Sequence, residues 1–346
     1  MFKIGHIHVW DKKNKGDEAI VLAVQELLKR KFDSCVIKDF PVEVLKKYNK
    51  TKINALNSCD FIIIGGGGIF YSYFLPFDQK VIAEISCPIF LFGLGYIKEI
   101  DAPLWSDDKI NSVLALTKKA KGVGVRDLNT KRFLIKNGLK ATKIKVVGDP
   151  AAFLFEKEIS FAKSKSLALK SKKIKIGLNL NYSGWLGFGK WHNDILEAYQ
   201  QVAEYFQKKY GADIYYLKHH PGENNIYPQL KIKDLRIVDL PPNEQKKVYG
   251  KMDLIIGMML HVGVMSFGAL TPEISVAYDI RNYGFAEFIG HKELVVDLDK
   301  LKAGDLLKRA KKVFKNRDFY RQSFKLKKKK IFKKSDDFLT KLQTLL

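Results

Sequence analysis

His261 follows the apolar run Leu254–Gly257 and opens a further apolar segment. That pattern places it at the amino end of a helix behind a buried strand. A helix dipole there lowers an imidazole's pKa and readies it for proton transfer. Cations stand at the ends of other predicted strands. They are Arg126 after Gly122–Val125, Lys218 after Asp213–Leu217, and Arg281 just past Pro272–Asp279. A guanidinium grips a carboxylate or phosphate as a fork, and a lysine beside a histidine makes a positive lip for phosphate. Adjacent histidines point to opposite sides of an extended chain, so one of His219 and His220 joins that lip; His220 is the candidate. These are the parts of a site that holds an anion and moves a proton. The blander alternatives are an Arg126 pair with Asp127 or Asp149 and a surface histidine at 219 or 220. No metal is expected, because the histidine spacing does not suit zinc and no cysteine or third clustered histidine completes a set.

Two glycine-bearing turns would position a ligand beside these groups. Asn14-Lys15-Gly16-Asp17 lies between the first predicted strand and the first helix. Gly16 would let the turn take a positive φ, and Asp17 would cap the helix. Gly65-Gly66-Gly67-Gly68 follows the apolar run Phe61–Ile64, where the strand is expected to end. Bare backbone at Gly66, Gly67 and Gly68 lets a phosphate or sugar hydroxyl approach, unless the glycines serve tight packing of strand on helix. The run is neither a P-loop nor a dinucleotide fingerprint.

The surrounding elements alternate. Strands are predicted over Phe2–Trp10, Cys35–Phe40, Phe61–Ile64, Ile89–Gly93, Gly122–Val125 and Ile144–Val147, with helices between them. The rhythm breaks over 156–173, rich in Lys, Ser and Ala, and restarts with strands over Ile174–Leu180, Asp213–Leu217, Arg236–Val238, Leu254–Gly257 and Glu273–Tyr278. Short apolar strands alternating with helices imply parallel sheets covered on both faces. The expected fold is therefore α/β: two Rossmann-like domains, 1–155 and 174–300, facing a cleft. A linker joins them over 156–173, and a basic helical tail follows over 301–346.

Composition narrows the classes. Of 346 residues, 46% are apolar and 28% charged, with 23 Phe and 15 Tyr, so the chain can fill sizeable cores and is not disordered. Three cysteines, an odd number in apolar segments, fit a reducing compartment. No apolar stretch is long enough to span a bilayer, and the first residues read as a strand, not a signal peptide. The net charge is +24. Half of that excess lies in residues 301–346, which carry 16 Lys/Arg against 4 Asp/Glu. Lysine predominates there and no base-reading motif is present, so specific nucleic-acid binding is not expected. Solvated helix faces or an anionic membrane surface fit the tail better.

Five stretches taken in order resemble the polysaccharide pyruvyl transferase family. They are Asn14–Asp17 with Ala19-Ile20, Gly65–Gly68, Val125–Asp127, Val147-Gly148-Asp149-Pro150, and Asp253–Asp279. The resemblance implies a glycosyltransferase-B-like fold. It also implies transfer of a pyruvyl group from phosphoenolpyruvate to two hydroxyls of a sugar, with phosphate released and no cofactor. The acceptor would be a glycan or lipid-linked glycan of a cell-surface polysaccharide. The location would be cytoplasmic, or peripheral at the inner membrane face. His261 matches the family's catalytic histidine. The family's arginine two positions earlier is Met259 here, and a thioether cannot hold an anion. Another cation (Arg126, Lys218 or Arg281) takes its place, or the donor differs, or the chain is a non-catalytic member. The competing enzyme reading is a glycosyltransferase using a nucleotide sugar, with Glu223 or Glu273 on the ribose.

Overall fold

A computed structural model describes residues 1–9, 11–98, 102–181, 192–298, 301 and 304–345. Trp10, the expected end of the first strand, lies outside them. The described residues form two parallel sheets of six strands each. The first contains β1 (Phe2–His8), β2 (Cys35–Pro41), β3 (Phe61–Tyr71), β4 (Ile89–Ile97), β5 (Gly122–Val125) and β6 (Ile144–Val146), in the order β2-β1-β3-β4-β5-β6. The second contains β7 (Lys175–Leu178), β8 (Asp213–Leu217), β9 (Arg236–Val238), β10 (Leu254–Gly257), β11 (Glu273–Ala277) and β12 (Val295–Asp297). Its order is β12-β11-β10-β7-β8-β9.

The central strands β3, β4, β10 and β11 are largely buried, as parallel strands flanked by helices are. In β3, Phe61 to Ile64 are fully buried, and Ile62 and Ile64 join Leu91, Val123 and Val113 in one core. The helix Lys15–Lys31 turns Ala19, Ile20, Ala23, Val24, Leu27 and Leu28 inward at the three-and-four spacing of an amphipathic helix. Gly138 has φ +94° just after the helix Leu128–Lys136, as expected of a left-handed cap. The main departures from expectation are β4, which runs past Gly93 to Ile97, β12, which the sequence pattern did not predict, and β3. β3 does not stop at Ile64 but runs through the glycines to Tyr71, with a register shift against β4 between Gly67 and Phe70. A positive φ at Gly66 and Gly67 lets the strand kink without losing its partner.

By its internal contacts the chain divides into two compact units. The first holds residues 1–12, 19–153 and 329–346; the second holds 13–18 and 154–328. The stretch 156–173 contains a short helix, Phe161–Ser166. The tail is helical, over Asp305–Lys315 and Arg317–Gln343. The longer helix buries Tyr320, Phe324, Ile331, Ser335, Leu339 and Leu342. Within the lysine run, Lys328 turns inward: its Nζ donates to the Gly268 carbonyl at the end of a buried helix, and burial lowers its pKa. Among the described residues, no helix is long and apolar enough to cross a membrane.

Candidate functional site

The second sheet reads β9-β8-β7-β10-β11-β12 from its other edge, so the strand order reverses between β7 and β10. Open α/β sheets bind ligands beyond the carboxyl ends of the strands that flank such a reversal. His261 sits there. It lies in the first turn of the helix Leu260–Gly268, four residues after the end of β10, and is 8% exposed. Gly257 makes the turn possible, since a Cβ on it would fall 2.7 Å from Val262 Cγ1.

The turn 14–17 lies at the same place. Asn14 caps the helix Lys15–Lys31: its Oδ1 accepts from the Gly16 N–H at 3.0 Å, and its carbonyl accepts from the Glu18 N–H at 3.0 Å. The cap expected at Asp17 is thus Asn14, because the helix begins earlier than its apolar pattern shows. Gly16 does not take a positive φ either. Its importance is closeness. A Cβ on Gly16 would lie 2.2 Å from Nδ1 and 2.5 Å from Cγ of His261, so bare backbone rests against the imidazole.

Lys15 ties this turn to the loop after β8. Its Nζ donates to the Lys218 carbonyl at 2.8 Å, to Asp239 Oδ1 at 2.6 Å and to Gln245 Oε1 at 2.9 Å. Lys218 Nζ donates to the other Asp239 oxygen at 2.6 Å. Two ammonium groups share one carboxylate and leave one net positive charge. Burial lowers the Lys15 pKa against the pull of Asp239. Asp239 is held low by the two lysines, which outweigh its own partial burial. Lys218 is therefore a clasped cation, not a free lip.

Arg281 is held in the same manner. Asp279 caps the helix Ile280–Ile289 by accepting from the Arg281 N–H at 2.7 Å, and its second oxygen lies 2.8 Å from Arg281 Nη2. Burial opposes the guanidinium's charge, but Asp279, Tyr278 and Asp17 outweigh it and push its pKa up. Asp17 thus faces a cation instead of capping a helix. Arg281 Nε is buried with no hydrogen-bond partner among the described residues.

The two histidines after β8 part as an extended chain requires. His219 is fully buried, with Nε2 bonded to the Tyr249 hydroxyl. Burial first, then Lys15 and His261, drive its pKa well below the ordinary value. His220 is half-buried and caps the short turn Pro221–Asn225, with Nδ1 accepting from the Gly222 N–H at 2.9 Å. Glu223 anchors the loop from beneath. Its Oε1 accepts from the amides of His219 and His220 at 2.9 and 2.6 Å, and Oε2 from Asn179 at 3.1 Å. Burial pushes its carboxyl up to about 8, against those donors.

The other candidates belong to the first unit. Arg126 is 4% exposed, with Nε 3.2 Å from Asp127 Oδ2 and Nη1 3.4 Å from Asp149 Oδ2. Both internal pairs considered for it are present. Asp127 also caps the helix Leu128–Lys136, accepting from the Thr130 N–H at 2.7 Å. Gly95 allows the guanidinium in, since a Cβ there would lie 2.1 Å from its Nε. Nη2 has no hydrogen-bond partner among the described residues. In the glycine run, protein fills the space that side chains would take. A Cβ on Gly66 would lie 1.8 Å from Ile20 Cγ2, and one on Gly68 would lie 2.0 Å from Ile97 Cδ1.

The structure therefore brings Gly16 to His261, Asp17 to Arg281, and Lys15 to Lys218. It places Arg126 and Gly66–Gly68 in the first unit. Sequence reasoning passed over Asp239, Gln245 and Asn179. Asp239 follows β9 directly, and an acidic residue at a strand's carboxyl end was the available signal. Asn179 follows β7; besides Glu223 it bonds the Leu217 carbonyl at 3.0 Å, and its Oδ1 accepts from the Met259 N–H at 3.3 Å. Met259 stands at the N-cap position of the His261 helix, makes no side-chain cap bond and is itself buried.

The model of one protein family, polysaccharide pyruvyl transferase, matches residues 14–280, which include every candidate above except Arg281. The chain belongs to that family, which is one of transferases. No curated protein is similar enough in sequence to count as a relative. Solved structures share the fold. S. aureus MnaA, solved with UDP, superposes with a TM-score of 0.61 at 11% identity, over 93% of this chain and 91% of that one. The UDP-GlcNAc 2-epimerase of Neisseria meningitidis, bound to UDP-GlcNAc, gives 0.59 at 11% identity over 99% and 100%. Anabaena HepE with UDP-glucose gives 0.60 at 11% identity over 100% of both chains. The two parallel sheets have the Rossmann-like, glycosyltransferase-B-like architecture expected.

Proposed function

We propose that the chain transfers a pyruvyl group from phosphoenolpyruvate to a sugar of a cell-surface polysaccharide or its precursor, closing a ketal over two hydroxyls. Family membership supports the reaction class. The observation that carries the reading is the seating of His261: an imidazole at a helix amino end, beside the strand reversal, with the bare backbone of Gly16 against its ring. The donor's methylene carbon gains a proton and becomes the methyl group. One sugar oxygen adds to the adjacent carbon, and the second displaces phosphate. The two hydroxyl protons end on the methyl group and on phosphate, so the balance needs no redox cofactor. His261 is the group that moves a proton. Arg281 and the net positive charge of the Lys15–Lys218–Asp239 group, with His220 beside them, hold the donor's carboxylate and phosphate in place of the absent arginine at 259.

Incubation with phosphoenolpyruvate and a candidate glycan should release phosphate and add a ketal to the glycan. Absence of release, with no calorimetric binding of phosphoenolpyruvate, overturns the reading. A nucleotide-sugar donor is the second reading, favoured by the UDP ligands of the structural neighbours. Its proposed ribose anchors are poorly suited: both Glu223 oxygens are occupied, and Glu273 is buried with its pKa raised well above the usual range by burial. Thermal stabilisation by UDP and not by phosphoenolpyruvate would establish it. Turnover that appears only in Met259→Arg identifies a non-catalytic natural chain. For the acceptor, a lipid-linked glycan at an anionic membrane fits the exposed lysines of the tail. Sedimentation with vesicles containing phosphatidylserine, lost at high salt, checks it.

A further inference from the structure

In the first unit, far along the chain from His261, two histidines and an aspartate converge on one point. His6 and His8 are two residues apart on β1 and share a face. Asp39 pairs in register with His6 across to β2 and points to the same place. One ligand atom of each (His6 Nδ1, His8 Nε2 and a carboxylate oxygen of Asp39) lies within 4.8 Å of the others. His8 Nε2 is 3.2 Å from Asp39 Oδ1, and His6 Nδ1 is 4.0 Å from the same oxygen.

The hydrogen bonds around this point leave one need unmet. His6 Nε2 faces the Gly65 carbonyl at 3.3 Å, and His8 Nδ1 faces the Val9 carbonyl at 2.9 Å. A carbonyl only accepts, so each of those nitrogens carries its ring's hydrogen. The opposite nitrogens, His6 Nδ1 and His8 Nε2, then present lone pairs toward a carboxylate oxygen. Three electron-rich atoms thus face one another. His6 Nδ1 is buried with no hydrogen-bond partner among the described residues. A proton shared by His8 and Asp39 would satisfy that pair and leave His6 Nδ1 unmet. Charging His6 as well would bury an ion in a fully covered ring.

We infer that His6, His8 and Asp39 bind one divalent transition-metal ion of the zinc class, with water completing its coordination. Imidazole nitrogens and a carboxylate oxygen are borderline ligands that suit such an ion and not Mg²⁺. Bonds of about 2.0–2.2 Å put tetrahedral ligand atoms roughly 3.4 Å apart, which the His8 to Asp39 distance already approaches. Asp39 is partly exposed and can close the remaining gap to His6. The outer contacts are those of a metal site. Each histidine donates its far N–H to a backbone carbonyl, and Gln25 Nε2 donates to Asp39 Oδ1 at 2.7 Å, orienting the carboxylate. The spacing in the sequence hides the set, because its third member comes from the next strand.

The test uses the full chain stripped with a chelator. Calorimetric titration with Zn²⁺ should show one site, Co²⁺ should give visible absorption bands, and Mg²⁺ should not compete. Asp39→Asn keeps the shape of an exposed side chain and should weaken Zn²⁺ binding at least about tenfold, as should His8→Gln. Absence of Zn²⁺ binding by the folded wild type overturns the inference. So does affinity unchanged in both variants, which would put the ion on other histidines.

Discussion

Two glycine-bearing turns in this chain meet the same geometric demand with opposite content. At Gly66 and Gly68 the space of the missing side chain is filled by Ile20 and Ile97, so the backbone is close to apolar carbon. At Gly16 the space is filled by the ring of His261. Four consecutive glycines look the more functional in a sequence, yet the single one touches the candidate histidine. A glycine reports that something comes close; the neighbour decides whether that closeness is packing or chemistry.

Variants can break or sharpen that contrast. The largest effect should come from the ring itself. If His261 moves the proton, His261→Gln should lower the transfer rate by about 10²–10⁴, measured as phosphate release from phosphoenolpyruvate, with the fold retained by circular dichroism. A rate within a few-fold of wild type would remove His261 from the chemistry. Gly66→Ala should act on stability. It combines φ +78° with a Cβ 1.8 Å from Ile20, which together cost about 2–5 kcal/mol by urea denaturation. The surviving folded enzyme should keep its rate. Gly16→Ala should do the reverse. Its stability loss is smaller, about 1–3 kcal/mol, because helix propensity favours alanine, but displacing the imidazole should lower kcat more than it raises KM. If both glycine variants lose only stability, the contrast fails.

The smallest effect is one of pH. Glu223 has its folded pKa raised to about 8 by burial. The folded state binds its proton more tightly than the unfolded chain does. Its stabilising contribution is therefore full below the unfolded pKa of about 4.5 and is lost as pH rises through about 8. The urea midpoint should fall over that window in the wild type and fall less in Glu223→Gln. Equal slopes would show that the three donors around the carboxylate keep it ionised.

Periodicity carried most of the fold. Gly122–Val125, Asp213–Leu217, Arg236–Val238 and Leu254–Gly257 were legible to the residue, because short apolar runs between helices have few other homes. β3 was not, because four glycines read as a stop where the strand uses positive φ to continue. The cap at Asn14 was missed because a cap depends on where the helix starts, which side-chain pattern locates poorly. The candidate cations were found by position, and the Arg126 pairs with Asp127 and Asp149 were among the alternatives, but the partners of Lys218 and Arg281 were not. Nothing local in the sequence says that Lys15 and Lys218 close on Asp239.

The amino-acid sequence alone determined two α/β halves, the family, and the placement of His261 at a strand–helix junction. Those follow from hydrophobic period and motif order, which are properties of neighbours along the chain. Only the tertiary structure decided that Gly16 rests on that histidine, that each expected cation already has a carboxylate, and that His6, His8 and Asp39 meet. Apart from Arg126 with Asp127 and Arg281 with Asp279, such encounters join residues tens to hundreds of positions apart. They are set by strand register and helix entry, through which a single residue's shift turns every side chain to another face.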